Sequence, residues 1–445
     1  MKPIGDDMGV TYREEVRVQS SKFKTRSWPV ESGCMHVSSL LAAVFFAVIL
    51  AVGLPSGAGA REQIPKADPA ALGVDPAPLA EATALLRQLV AEQKIAGAVA
   101  AVARKGRLAY LESVGVQDLE TKAPMTPQTL FRIYSMTKPV TAVAVMMLHD
   151  EGRFRLDDPV STYLPEFGDV RVGSGPSARP PARAVTVEDL LLHTSGLSHR
   201  TSDLYRELGV RSRADTLPQF ITKIARAPLM EDPGTRFRYS EATTVLGRLV
   251  EIWSGMPFDR FLETRVLAPL KMADTRFWVP ADAHARLATV YGPADGGGLR
   301  PVAIEAVPFT ERPALIEGAV GLVSTVPDFL RFSQMLLNRG ELDGVRLLKA
   351  ETAARMVGNG LPPAVLEARG GRMGWGLGNV NVVVDPAGVN YPARVGEYGW
   401  DGTAGTIFWV EPTRALVTIL MTQSAPANPE GVRQRFKTLV ESAVR

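Results

Sequence analysis

FRIYSMTKPV (Phe131–Val140) sets a serine, Ser135, three residues ahead of a lysine, Lys138, and runs into VTAVAVMML (140–148), where Thr141 is the one polar residue. Residues three apart on a helix share a face about one turn apart, so the hydroxyl and the amine can touch. A serine hydroxyl becomes a useful nucleophile only when a neighbouring group takes its proton. A lysine at its ordinary value, about 10.4, is charged and cannot do so. Burial disfavours the ammonium and lowers that value, and a helix apolar on all sides is a core helix. Pro139 is tolerated in a first turn, which puts the helix start, with its free N–H groups and partial positive charge, close to Ser135. The pattern has a counterexample in the same chain: Ser21 and Lys24 repeat the spacing within the segment read below as a leader, where no chemistry is expected. Further segments must therefore decide.

The rest of the chain narrows the function class. A formal net charge of +3 over 445 residues, with 46% hydrophobic and 22% charged residues, is globular and lacks a nucleic-acid footprint. One cysteine, Cys34, excludes an intrachain disulfide framework, and none of the five histidines falls in a helical metal-binding pair. No metal or other cofactor is expected. LLAAVFFAVILAVGL (40–54) follows Lys22, Lys24 and Arg26 and precedes Ala58-Gly59-Ala60. This predicts a leader over 1–60 that is exported and removed, giving a periplasmic or secreted protein, with an uncleaved anchor as the alternative and the one route to a membrane. Met35 is an alternative start.

Beyond the leader, a helix begins after Asp75 and is expected to end at Gly97, and 98–116 reads as two strands joined at Lys105-Gly106. Thr186 caps a helix expected to stop at Gly196, and Thr325 with Pro327 opens another that Gly340 closes. NVNVVVD (379–385), GTIFWVE (405–411) and ALVTILMTQ (415–423) read as strands, and a last helix carries Val432, Phe436, Leu439 and Val440 on one face. Strands gather at both ends and helices in the middle. This predicts an α+β fold: an antiparallel sheet flanked by helices, formed by 61–172 with 291–445, and an all-helical insertion over 173–290.

FRYSEATTVLG (237–247) contains Tyr239-Ser240-Glu241, and GEYGWDGTAGTIFWV (396–410) contains Trp400-Asp401-Gly402 at the entry to a strand. With Ser135-x-x-Lys138 these resemble, in order, the three motifs of the serine β-lactamase and penicillin-binding-protein superfamily. The carboxylesterases of esterase family VIII, which share the class C β-lactamase fold, are the nearest match. LDDPVSTYLPEF (156–167), LLLHTSGL (190–197) and GLVSTVPDFLRFSQMLLN (321–338) are also family-like. The resemblance implies a β-lactamase/transpeptidase-like fold with Ser135 as the acylated nucleophile. Lys138 and Tyr239 would share the proton work, the tyrosine held near its phenolate form. The N–H groups of Ser135 and Thr403, past Trp400 and Gly402, would form the oxyanion hole.

Two departures bear on the substrate. Trp400 stands where penicillin-recognising members place a lysine, and Glu241 stands where an asparagine is common. Both disfavour an anionic β-lactam, Glu241 by repulsion if it faces the substrate. The expected function is hydrolysis of a small-molecule, short-chain carboxylic ester. The alternatives are a β-lactamase or DD-carboxypeptidase, and a non-enzymatic receptor module for penicillin or peptidoglycan. His193 reads as structural and Ser240 as a local hydrogen bonder. No Gly-x-Ser-x-Gly elbow is present.

Overall fold

Strands from the two ends of the chain do meet in one sheet. The computed structural model describes residues 63–304 and 309–444, all within one unit, Gly59–Arg445. The leader expected over 1–60 lies outside the described residues. Strands β1 (Gly97–Arg104), β2 (Arg107–Gly115), β3 (Met373–Trp375), β4 (Asn381–Val383), β5 (Tyr398–Asp401), β6 (Thr406–Glu411) and β7 (Leu416–Thr422) form an antiparallel sheet in the order β2-β1-β7-β6-β5-β4-β3. The β1–β2 turn is made by Lys105 (φ 53°) and Gly106 (φ 71°), the pair of positive φ values a tight hairpin requires.

β1 is buried along its whole length, and its alternate residues enter two different cores. Val99, Ala101 and Ala103 join one, and Ala98, Ala100 and Val102 the other. That is the period of two expected of a strand covered on both faces. Helices α1 (Pro76–Ala91) and α6 (Val432–Ala443) cover the second face, and α5 (Val326–Leu337) packs on β1, β6 and β7 from the first. Asp75 caps α1 by accepting from the Ala77 N–H (2.9 Å). The helix ends at Ala91, before the expected Gly97, because Gln93 turns to a positive φ (54°).

Behind the first face lies α2 (Thr137–Asp150), with every residue from Thr137 to Leu148 buried. It packs against α4 (Ala242–Ser254), which in turn receives α3 (Leu217–Arg226) and the short helix Val187–Leu191. The last has a full capping box between Thr186 and Asp189 but stops well short of Gly196, because His193 adopts φ 54°. Among the described residues no helix is long and apolar enough to cross a membrane.

Phe408 on β6 is fully buried and packs on Phe329 of α5 with ring centroids 5.0 Å apart, joining sheet to helix. Phe408→Ala is expected to lower unfolding stability by about 3–5 kcal/mol, read from the urea midpoint at unchanged slope.

Candidate active site

Three segments converge at the entry to α2. Ser135 lies in a single 3₁₀ turn, Tyr134–Met136, immediately ahead of the helix. The turn is held from before by Phe131 and Arg132, which pair with Ser324 and Val323. Tyr134 has φ 41°, a conformation non-glycine residues adopt at a cost, and its ring is fixed edge-on against Phe309 (5.6 Å). Lys138 is fully buried, and its Nζ lies 3.4 Å from the Ser135 Oγ. The same Nζ donates to the Ala319 carbonyl (3.0 Å). A neutral amine donating there keeps its lone pair for the serine. The 318–322 segment is strapped to α2 by Thr141, which donates to the Gly318 carbonyl (2.7 Å), and by the Leu322 N–H, which donates to the Thr137 hydroxyl (3.1 Å).

Tyr239 arrives on the loop before α4. His193, fully buried, braces that loop: its carbonyl accepts from the Arg238 N–H (2.8 Å), and its Nδ1 meets the Ser240 hydroxyl (3.1 Å). The Tyr239 phenol shares a hydrogen bond with Ser135 and accepts from the Trp400 indole N–H (3.3 Å). The Lys138 amine lies over the tyrosine ring, 4.5 Å from its centroid. Trp375 closes the aromatic wall edge-on to Trp400 (4.6 Å), anchored by its indole N–H on the Leu191 carbonyl (3.1 Å).

The third segment is the end of β5. Gly402 approaches the Ser135 turn so closely that a Cβ on it would lie 2.4 Å from the Ile133 carbonyl oxygen. Arg433 of α6 fixes this strand end through the Asp401 carboxylate and the Gly402 carbonyl (3.0 Å). Thr403 follows, exposed. Among the described residues neither the Ser135 nor the Thr403 N–H is donated to a backbone acceptor, as two donors kept for an oxyanion would be.

Burial pushes the Lys138 amine down to about 7, against the opposing attraction of Glu241 and Glu317. Burial also holds the Tyr239 phenol well above its ordinary value, with the Ser135 and Trp400 hydrogen bonds opposing. This corrects the expectation of a tyrosine near its phenolate form: at rest the phenol keeps its proton and the lysine is the group ready to accept one. Glu241 is corrected too. It is fully buried, pairs with Arg200 (3.3 Å) and lies at the foot of α4, so it presents no charge to an incoming ligand. Nearby cations hold its carboxyl down at about 2, against burial.

Ser135, Lys138, Tyr239 and Trp400 are therefore in direct contact, Gly402 and Thr403 border them, and Glu241 sits behind them. The sequence reading missed Trp375, the Ala319 carbonyl, Arg200 and His199. His199 stacks on Tyr239 at 5.6 Å and 26°; its place beside the LLLHTSGL stretch was its one visible signal.

The β-lactamase family model matches residues 82–441, and the chain belongs to that family, within the serine β-lactamase and penicillin-binding-protein superfamily. It is a serine hydrolase or acyl-transfer enzyme of this fold. Esterase EstB of Burkholderia gladioli is 33% identical over 387 residues, covering 80% of this chain and 94% of the esterase. Penicillin-binding protein 4 of Amycolatopsis lactamdurans is 32% identical over 347 residues, covering 76% and 83%. Among solved structures EstCE1, described as a hydrolase with promiscuous acyltransferase activity, superposes with a TM-score of 0.72 at 27% identity, covering 82% of this chain and 98% of its own.

Two expectations follow. With Lys138 as the base, kcat/KM falls as pH drops through about 7, where the amine becomes charged; Lys138→Arg, which cannot lose its proton, abolishes turnover across the profile. Gly402→Ala, whose methyl meets backbone, is expected to lower kcat more than it raises KM, measured in steady-state kinetics.

Proposed function

We propose that the protein hydrolyses short-chain carboxylic esters through an acyl-enzyme on Ser135. One observation carries the reading: a single serine hydroxyl is met at once by a buried, near-neutral amine and a protonated phenol. Lys138 takes the Ser135 proton as Oγ attacks the acyl carbon, and the Ser135 and Thr403 N–H groups stabilise the oxyanion. On collapse Tyr239 gives its proton to the departing alkoxide. The acyl-enzyme then carries a phenolate and an ammonium, which attract one another across the tyrosine ring. Water attacks the acyl carbon and loses its proton to the phenolate. Ser135 leaves and takes its proton from Lys138, so both groups return to their resting states.

Support for a neutral ester comes from Trp400, an apolar ring where a cation would favour an anionic ligand, and from the likeness to esterase EstB. Repulsion by Glu241 plays no part in this selectivity, since the buried carboxylate is paired with Arg200. Likeness to a penicillin-binding protein keeps β-lactam chemistry as the competing reading.

The test is turnover and intact mass with p-nitrophenyl butyrate and nitrocefin. Sustained release of nitrophenol, lost by at least about a thousandfold in Ser135→Ala, is expected. Faster nitrocefin turnover would replace the esterase reading by a β-lactamase, and a stable adduct on Ser135 without turnover by a receptor.

A further inference from the structure

Two imidazoles pack on Tyr239; His193 is fully buried and braces the tyrosine loop, whereas the half-buried ring of His199 has no part in the mechanism above. The loop of His199 is fixed at the preceding residue: the Ser198 N–H donates to the Tyr205 hydroxyl (2.9 Å), and the Ser198 carbonyl accepts from the Glu241 N–H (3.1 Å). The ring is oriented as well as placed. The Thr201 backbone N–H, which can only donate, points at Nδ1 (3.3 Å), and the Thr201 hydroxyl lies 2.7 Å from the same atom. Nδ1 is therefore the acceptor, and a neutral ring must carry its proton on Nε2. Burial pushes the imidazole down to about 4, with Arg200, Lys138 and Arg211 adding to the effect against Glu241, so it is neutral in ordinary conditions. Among the described residues no protein acceptor meets Nε2, and the residue is half-buried, so this N–H is open to solvent.

We propose that the His199 Nε2–H is a specificity-determining donor that binds an acceptor oxygen on the alcohol part of the substrate, and so selects esters of oxygen-bearing alcohols over plain alkyl esters. This rests on the assignment of Tyr239 as the acid that protonates the leaving alkoxide. Of the groups packed on the Tyr239 ring, His193, Lys138, Trp375 and Trp400 are buried and His199 is half-buried, so His199 stands on the solvent side, from which the alcohol departs. A locked, neutral donor suits a neutral ether, hydroxyl or carbonyl oxygen, and with no partner in the protein it loses no internal hydrogen bond on binding. If His199 served only as an aromatic shelf for Tyr239, the tautomer and the open N–H would be without consequence.

Two esters that differ by one atom isolate the effect: 2-methoxyethyl acetate and butyl acetate, followed by acid release. His199→Phe keeps an aromatic ring and removes the donor; His199→Gln keeps a donor and removes the ring. The ratio of kcat/KM values for the two esters is expected to fall about threefold to tenfold in His199→Phe and to recover in part in His199→Gln. An unchanged ratio, or an equal loss on both esters, overturns the inference. A second measurement does not depend on turnover. In the Ser135→Ala protein, the ¹⁵N shift of His199 Nε2 is expected to move on adding 2-methoxyethyl acetate and not butyl acetate. Equal shifts or none overturn the proposal. A selective shift in a protein whose unmodified form hydrolyses neither ester upholds the donor site and rejects the esterase reading.

Discussion

A primary amine held out of water is the constraint on which the site depends. Lys138 can accept a proton near neutral pH because α2 is buried on every side, and α2 is buried because α4, the turn Leu262–Leu267 and the 318–322 segment close on it. Desolvation alone would drive the amine further down. Glu241 and Glu317, each almost fully buried, pull it back, and Arg200 and Arg211 pair with those carboxylates in turn. The value near 7 is thus a balance among charges that none of these residues sets alone. Removing a carboxylate would take a partner from a neighbouring guanidinium as well as move the lysine, so these ion pairs bear on the chemistry as much as on the fold.

The fold's task is to bring three sequence-distant segments to that amine. Ser135 stands at a helix start, Tyr239 on a loop of the helix-rich side, and Gly402 and Thr403 just past a strand end. The β1–β7 pairing, Ala98 opposite Thr422 through Arg104 opposite Leu416, ties the N-terminal hairpin to the C-terminal strands. Contacts of such long sequence separation are slow to form but define one register once both faces are covered. The closest point of the convergence is backbone against backbone, Gly402 beside Ile133, and it sets where Thr403 stands relative to Ser135.

What could be read in the sequence was what local geometry decides. The Ser135–Lys138 contact follows from helical spacing, the strands from period-two burial and the hairpin turn, and the caps at Asp75, Thr186 and Thr325 from side chains that reach only their own first turn. Hidden was what packing decides. Glu241 precedes α4, and nothing in its neighbours says whether it faces the substrate or the core. The helix after Thr186 has the composition to reach Gly196, yet it ends early and places His193 beneath Tyr239. The protonation of Tyr239 depends on how much water reaches the ring, which no motif records.

That protonation decides what the site is suited to. A phenolate at rest would compete with Lys138 for the serine proton and leave nothing to protonate a poor leaving group. In the proposed mechanism a phenol at rest divides the work: the amine activates the serine, and the phenol meets the alkoxide as it departs. Trp400 serves both ends of this arrangement. Its indole N–H donates to the phenol oxygen, where it would stabilise the phenolate of the proposed mechanism, and its ring packs on the tyrosine ring beside it. A charged lysine at that position would donate too, but it would add a positive charge close to Lys138. The tryptophan supplies the hydrogen bond without a charge, so in the proposed mechanism the residue that disfavours an anionic ligand also leaves the charge balance around Lys138 undisturbed.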